Sequence, residues 1–355
     1  MGTSSVLETE TPRAESAIID LTEAAYDLEV SESDWLPNLL RRGLPILDHG
    51  LGVAGWEYGL PPNGGDVEHR NVHVASGPSD FAERHMAAIA TIPRDVLRRQ
   101  VRSGLARTGW QEVAECGRRE EMEHYLSHVS YCKDVLYLTA VDAQGAGVSI
   151  VAPLAEVTTL SASEAHRWQM VAAHVEAGHR LREAIALAHR EDRGPIDLPQ
   201  GSEAVLDPRD FRIAEAVGPA KPASMRQKLR EAAVAIDRAR GPIRKSDPQK
   251  GLEGWKALVH GRWSVVDWFD TDGRRFVLAI PNSPGVVDPR GLTERESQIA
   301  WMAAAGMTNK LIAYRLGLST SRISLCLRTA MRKLGVQTRT QLVRKIQSLP
   351  DPESG

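Results

Sequence analysis

The stretch from Asn309 to Cys326 constrains the fold more than any other part of the sequence. Two short helices that cross need a small residue at the crossing, a glycine in the turn and apolar residues that seal the pair. Counting Asn309 as the first position, Ala313 is the fifth, Gly317 the ninth, Ile323 the fifteenth and Cys326 the eighteenth. A Cβ atom at Gly317 would cost the turn about 1 kcal/mol. This spacing predicts a helix-turn-helix unit.

The second helix of this unit, predicted over residues 320–334, has an apolar side and a polar side. At about 100° per residue, the apolar side comprises Ile323, Cys326, Leu327, Ala330, Met331 and Leu334. The polar side comprises Ser321, Ser324, Arg328 and Arg332, and Leu325 falls among them. An apolar residue at this position suggests that the polar side meets a partner as well as water.

The charge of the chain is unevenly distributed. The formal net charge is −2, but residues 291–349 contain ten Lys or Arg and two acidic residues. This segment therefore carries about +8 and the remainder about −10. A basic segment of this kind favours binding to a polyanion.

The sequence around the helix-turn-helix unit resembles the LuxR-type, or GerE-like, DNA-binding domain. The resembling motifs are LTERE at 292–296, GMTNKLIAYRLGLS at 306–319 and KLGVQTRTQLV at 333–343. The resemblance implies an all-α, four-helix domain over residues 291–349 that binds double-stranded DNA. It also implies a homodimer on paired half-sites. The sequence departs from the family at Arg322, where Thr is common, and at Cys326, where His is common.

A recognition helix lies in the major groove, with one side on its own domain and the other on base edges and phosphates. By helical phase, the expected base-reading residues are Ser321, Ser324, Leu325 and Arg328, and the resemblance assigns the same role to the last three. Arg328 suits guanine and Leu325 suits the methyl group of thymine. The expected phosphate contacts are Thr308, Asn309, Lys310, Arg322, Arg332, Lys333 and Arg339.

The sequence predicts a multidomain α+β protein. Residues 1–30 are rich in acidic side chains, and this composition predicts a disordered leader. Residues 31–190 mix strand and helix patterns and resemble, in architecture alone, a GAF or PAS-like α+β sensor domain. Residues 202–286 predict a small connecting domain with a helix and a β-hairpin that turns at residues 270–273.

One group of potential metal ligands occurs in the first half of the chain. Glu120, His124, His128 and Cys132 follow one another at steps of four and would form a stripe on a helix. Neighbouring members could bind a metal ion, but a partly buried interface helix explains the pattern better. We expect no metal and no cofactor.

Nothing in the sequence indicates an enzyme. It contains no phosphate-binding P-loop, no H-E-x-x-H and no G-x-S-x-G motif. The three cysteines provide no disulfide framework and suit a reducing compartment, so we expect a cytoplasmic protein, associated with the nucleoid when bound to DNA. No uncharged run approaches the roughly 20 residues of a membrane span.

Two hypotheses of different classes account for these features. The first is a bacterial, sequence-specific transcription regulator whose DNA-binding domain is controlled by the N-terminal part, with a small-molecule effector of unknown identity and with RNA polymerase as a further contact. The second is a small-molecule or metal sensor whose C-terminal helices act mainly through protein contacts, for example with RNA polymerase. Helical pattern alone does not separate them, because sigma-factor-like helices share the same turn geometry.

Overall fold

The computed structural model describes residues 12–61, 65–102, 106–190, 198–284 and 292–347. The chain divides into two compact units. The first contains the chain up to Ala24 together with Glu32–Glu176, and the second contains Ala25–Ser31 together with the chain from Ala177 onward. None of the described helices combines the length and the apolar character that a membrane span requires.

The first unit begins with helices α1 (Pro12–Ala25) and α2 (Glu32–Leu47). Helix α1 buries Ile19 and Leu21 completely. The predicted disordered leader over residues 1–30 is therefore wrong for α1, because apolar side chains at helical spacing are interleaved with the acidic ones. Residues 1–11 lie outside the described residues.

An antiparallel sheet of five strands forms the centre of the first unit. Its strands are β1 (Val53–Gly59), β2 (Glu68–Ser76), β3 (Ala106–Thr108), β4 (Asp134–Val141) and β5 (Ala146–Leu154), in the order β2-β1-β5-β4-β3. Strands β4 and β5 form a hairpin, with Leu138 opposite Ile150. Strands β4 and β5 are almost continuously apolar because helices cover both faces of the sheet.

The helices of the first unit are α3 (Phe81–Ala90), α4 (Arg94–Arg102), α5 (Gly109–Cys116), α6 (Arg119–Val129) and the first half of α7 (Ala162–Arg190). Gly55 of β1 lies against Leu40 of α2. On the opposite face of β1, the hydroxyl of Tyr58 donates to the carbonyl of Val101 in α4 over 3.0 Å. Gly55 and Tyr58 are an odd number of positions apart, so they lie on opposite faces of β1 and contact helices on opposite sides of the sheet.

The second unit contains a four-stranded antiparallel sheet. Its strands are β6 (Ala204–Leu206), β7 (Ile213–Ala216), β8 (Trp263–Phe269) and β9 (Arg275–Pro281), in the order β7-β6-β9-β8. The predicted turn at residues 270–273 connects β8 to β9. Helices α8 (Ala223–Arg240), α9 (Pro242–Ser246) and α10 (Pro248–Gly254) precede this hairpin. Trp255 and Trp263 are each 1% exposed, so they belong to the core of this part.

The described residues 292–347 form four helices, as predicted: α11 (Glu294–Ala304), α12 (Asn309–Leu316), α13 (Thr320–Lys333) and α14 (Arg339–Gln347). Their common core is formed by fully buried residues such as Ile299, Ile312 and Ile323. Leu258, from the segment after α10, belongs to the same core. The predicted connecting domain and the four helices therefore lie in one compact unit.

Candidate nucleic-acid interface

Side-chain caps fix the start of each helix in the C-terminal group. Thr293 and Glu296 form a capping box on α11, in which each side chain accepts from the backbone N–H of the other. The hydroxyl of Thr308 accepts from the N–H of Leu311 at the start of α12. The hydroxyl of Ser319 accepts from the N–H of Arg322 at the start of α13. These caps fix the residues at which α11, α12 and α13 begin.

The turn between α12 and α13 has the conformation that the spacing predicts. Gly317 is left-handed, with φ 61° and ψ 37°. The N–H of Leu318 donates to the carbonyl of Ala313 over 2.9 Å, which closes the end of α12. Ala313 is only 5% exposed, as the crossing of the two helices requires. The structure therefore places Ala313 and Gly317 as a helix-turn-helix unit needs them.

The two sides of α13 agree with the predicted helical phase. Ile323, Leu327 and Ala330 are buried, and Cys326 is half-buried against the same core. On the other side, Leu325 is 53% exposed and Arg328 is exposed. The outward side of α13 therefore presents an apolar side chain next to an exposed arginine.

The four predicted base-reading residues share the outward side of α13, with Ser324 more engaged than the rest. Ser321 is exposed and Ser324 is half-buried. The hydroxyl of Ser324 donates to the carbonyl of Thr320 over 2.9 Å and accepts from the amide of Asn309 over 3.1 Å. Ser324 thus also ties α13 to the start of α12.

A groove runs beside α13 and connects the predicted base-reading residues to predicted phosphate contacts. Its lining includes Asn309, Ser324, Arg328 and Arg332. Lys310, Arg322 and Arg332 are exposed, and no ion pair is described for their side chains within the part of the chain that the structure covers. Thr308 uses its oxygen as a cap and keeps its hydroxyl hydrogen for a donor role. The groove is thus bordered by exposed cations of the kind that contact phosphates.

Two predicted phosphate contacts have partners inside the domain. The ammonium of Lys333 lies 2.7 Å from Oε2 of Glu296, and this hydrogen bond is the main cause that lowers the pKa of that carboxyl. The guanidinium of Arg339 donates to the carbonyls of Ala303 and Met307 at the end of α11 and the following loop. Both side chains therefore hold the helices together, which the sequence did not predict for them.

The sequence also left two buried polar residues of α12 without a role. Tyr314 is 4% exposed, and its hydroxyl donates to the carbonyl of Leu252 over 2.7 Å. Arg315 is 5% exposed, with one guanidinium nitrogen 3.6 Å from the sulfur of Met307. Both anchor α12 to its surroundings, and no sequence motif marks them.

The potential metal ligands of the first unit do not form a cluster. Helix α6 ends at Val129, and Ser130 follows in the left-handed conformation, so Cys132 is not on the same helix as Glu120, His124 and His128. The rings of His124 and His128 contact each other edge to face at 4.6 Å. Among the described residues, no three side chains of the ligand types converge on one point.

Cys132 is in an environment that keeps its thiol protonated. Burial, with the nearby carboxylate of Asp134 as a lesser cause, raises its pKa to about 12. Metal binding and thiol chemistry both require the thiolate. The stripe predicted from residues 120–132 therefore supplies two neighbouring imidazoles on a helix surface.

Comparison with known proteins supports the C-terminal geometry. Residues 290–346 match the family model of GerE, bacterial regulatory proteins of the luxR family. The comparison with curated proteins gives no match to the chain. The matched residues include all four C-terminal helices, their caps and the turn at Gly317. Residues 290–346 are thus a LuxR-type helix-turn-helix domain, of the kind found in DNA-binding transcription regulators.

Proposed function

We propose that this protein binds double-stranded DNA sequence-specifically, with α13 in the major groove. The observation that carries the proposal is the outward side of α13, where Leu325 is 53% exposed beside exposed Arg328 while Ile323 is fully buried. A major groove presents guanine acceptors that suit arginine and thymine methyls that suit an apolar tip. One helix face provides both.

Each outward residue has a role in this proposal. Arg328 pairs with O6 and N7 of a guanine, and Leu325 packs on a thymine methyl. Ser321 and Ser324 are close enough to the helix start to reach base edges or the adjacent backbone. Lys310, Arg322 and Arg332 neutralise phosphates, which fixes the register of the helix without reading sequence.

The proposal also covers the assembly and the control of the whole regulator. We expect a homodimer on half-sites about one helical turn apart. The first unit, with its five-stranded antiparallel sheet and covering helices, is proposed as the sensor-like part that controls DNA binding in the cytoplasm. An effector for that unit and a contact with RNA polymerase complete the proposed regulator.

Selection of bound duplexes from a random library, with the purified full chain, tests the proposal. We expect a two-fold symmetric site with one preferred guanine per half-site assigned to Arg328. Arg328→Ala should relax the preference at that base pair at a loss of roughly 1–3 kcal/mol. Lys310→Ala should weaken binding to all DNA sequences alike.

Two results would contradict the proposal. The first is that both variants weaken binding to selected and to random DNA equally, which would mean that α13 reads no bases. The second is an absence of DNA binding at low salt, which would favour a C-terminal domain that acts through protein contacts.

A further inference from the structure

The segment before the LuxR-type domain is itself strongly basic. Residues 221–262 contain eleven Lys or Arg and four acidic residues. This balance is close to that of residues 291–349, although this segment lies outside the matched family region. Some of these cations have partners, since Arg240 pairs with Asp267 and Arg262 pairs with Glu203. Lys228 and Lys256 are exposed cations of this segment.

The segment is attached to the helix-turn-helix unit by specific contacts. The guanidinium of Arg295 in α11 donates to the carbonyls of His260 and Gly261, over 3.1 and 3.2 Å. The buried hydroxyl of Tyr314 in α12 donates to the carbonyl of Leu252. The turn at residues 260–261 is therefore held against α11, and the backbone of Leu258 and His260 lies against Gly317 in the turn between α12 and α13.

At the start of α13, Lys228 and the neutral ring of His260 from the segment lie near Arg295 and Arg322 of the domain. The ammonium of Lys228 in α8 lies 3.4 Å from Nδ1 of His260. Burial lowers the pKa of His260, and the charges of Lys228, Arg295 and Arg322 lower it further. Arg322 is in the first turn of α13, so positive groups from three helices gather at this end of the recognition helix.

At the start of α12, a cation of the segment, Lys256, lies near a cation of the domain, Lys310. The ammonium of Lys256 lies 4.7 Å above the ring of Tyr314. Lys310, one helical turn before Tyr314, is close enough for its charge to lower the pKa of Lys256, in addition to the larger effect of burial and against the opposing effect of Glu253. The stem of Lys256 is partly covered and its ammonium donates to the carbonyl of Glu253 over 2.7 Å, while the side chain as a whole still reaches the surface beside a predicted phosphate contact.

Lys228 and Arg322 carry like charges near the start of α13, as Lys256 and Lys310 do near the start of α12, and a bound anion offsets the repulsion between like charges. Here both pairs lie at the first turn of a DNA-facing helix, where the backbone of a duplex passes in helix-turn-helix complexes. We propose that Lys228, Lys256 and His260, which we call the flanking patch, bind DNA phosphates next to the base pairs that α13 reads. The inference rests on the proposed function and extends the interface beyond the LuxR-type domain.

Salt dependence of binding by the full chain tests this directly. The affinity for the selected site, with about ten further base pairs on each side, is measured at several salt concentrations for the wild type, Lys228→Ala, Lys256→Ala and the double variant. Each lost phosphate contact should reduce the slope of log K against log salt by about 0.9 per subunit. Base preference should not change, because phosphate contacts carry no sequence information.

Two further variants control the experiment. Arg274→Ala removes an exposed cation at the other end of the β8–β9 hairpin, roughly 20 Å along the strand, and should leave the slope unchanged. Lys228→Arg keeps the charge and should retain the wild-type slope. Circular dichroism of each variant verifies that the second unit is folded.

The failures of the two proposals are distinguishable. If Arg328→Ala relaxes base preference while Lys228→Ala and Lys256→Ala behave like Arg274→Ala, the flanking patch is overturned and the proposed function stands. Tighter binding of the double variant would also overturn it, since the patch would then oppose DNA. If the wild type binds no DNA, both proposals fall together.

Discussion

Gly317 lies directly against the main-chain carbonyl of Leu258, so that a Cβ atom at this glycine would overlap the carbonyl oxygen. Gly317 also has a positive φ, which alone costs an L-residue about 1 kcal/mol. The two effects act together in Gly317→Ala, because the clash is with backbone and cannot be relieved by a side-chain rotation. We expect this variant to lose about 3 kcal/mol or more of stability in urea unfolding.

Gly335→Ala is the matched control for this substitution. Gly335 also has a positive φ, but no atom lies within 4 Å of its ideal Cβ position. Gly335→Ala should therefore lose only about 1 kcal/mol of stability in urea unfolding. Equal losses in the two variants would show that the contact between Gly317 and Leu258 contributes nothing.

Leu325→Ser should change DNA preference without changing stability. Its side chain is 53% exposed, and substitutions at such positions usually stay within about 0.5 kcal/mol. Loss of the apolar tip should reduce the preference for thymine at one position of the half-site. Library selection and thermal unfolding of the same preparation measure the two effects.

Leu327→Ser, two positions later on the same helix, provides the comparison. Leu327 is 7% exposed within the domain core, so its loss should cost roughly 2–5 kcal/mol. An unchanged base preference in Leu325→Ser would remove Leu325 from the reading face.

Tyr314→Phe removes one buried hydrogen bond and keeps the ring. The carbonyl of Leu252 then loses its donor at 2.7 Å, and we expect a loss of about 0.5–1.5 kcal/mol in urea unfolding. Lys256→Ala removes the ammonium above the same ring and should cost less, because that contact is exposed. A smaller loss in Tyr314→Phe than in Lys256→Ala would contradict this order.

The helix-turn-helix unit could be predicted because its determinants are local. Ala313, Gly317 and Ile323 follow one another within a few turns of chain, and helical phase alone places Leu325 outside. The same periodicity is present in α1 at Ile18 and Leu21, three positions apart and both buried, but the acidic composition of the leader conceals it. Strands of three residues, such as β3 and β6, carry too little pattern to be recognised.

The roles of Lys333 and Arg339 could not be predicted, because their partners are distant in sequence. Glu296 is separated from Lys333 by 37 positions, and Ala303 is separated from Arg339 by 36. A cation on a helix surface has the same sequence pattern whether it meets a phosphate or a carboxylate. Leu258 likewise joins the core of the four helices only through tertiary packing.

The pair of Glu296 and Lys333 makes stability depend on pH. The hydrogen bond from Lys333, together with the Thr293 bonds, lowers the pKa of Glu296 below its usual value of 4.5. The contribution of the pair is therefore complete above pH 4.5 and declines as the pH falls through the lower, folded-state pKa. Glu296→Gln keeps the geometry of the capping box and removes this charge.

We expect Glu296→Gln to be about 0.5–1 kcal/mol less stable than the wild type at pH 7, with the difference shrinking as the pH falls below 4.5 and through the lower, folded-state pKa of Glu296. Lys333→Met should produce a loss of the same sign, and the double variant should lose less than the sum, because both substitutions break one interaction. Urea unfolding across this pH range measures the three differences. A loss in Glu296→Gln that stays constant from pH 7 to pH 3 would assign the effect to the cap alone and not to the ion pair.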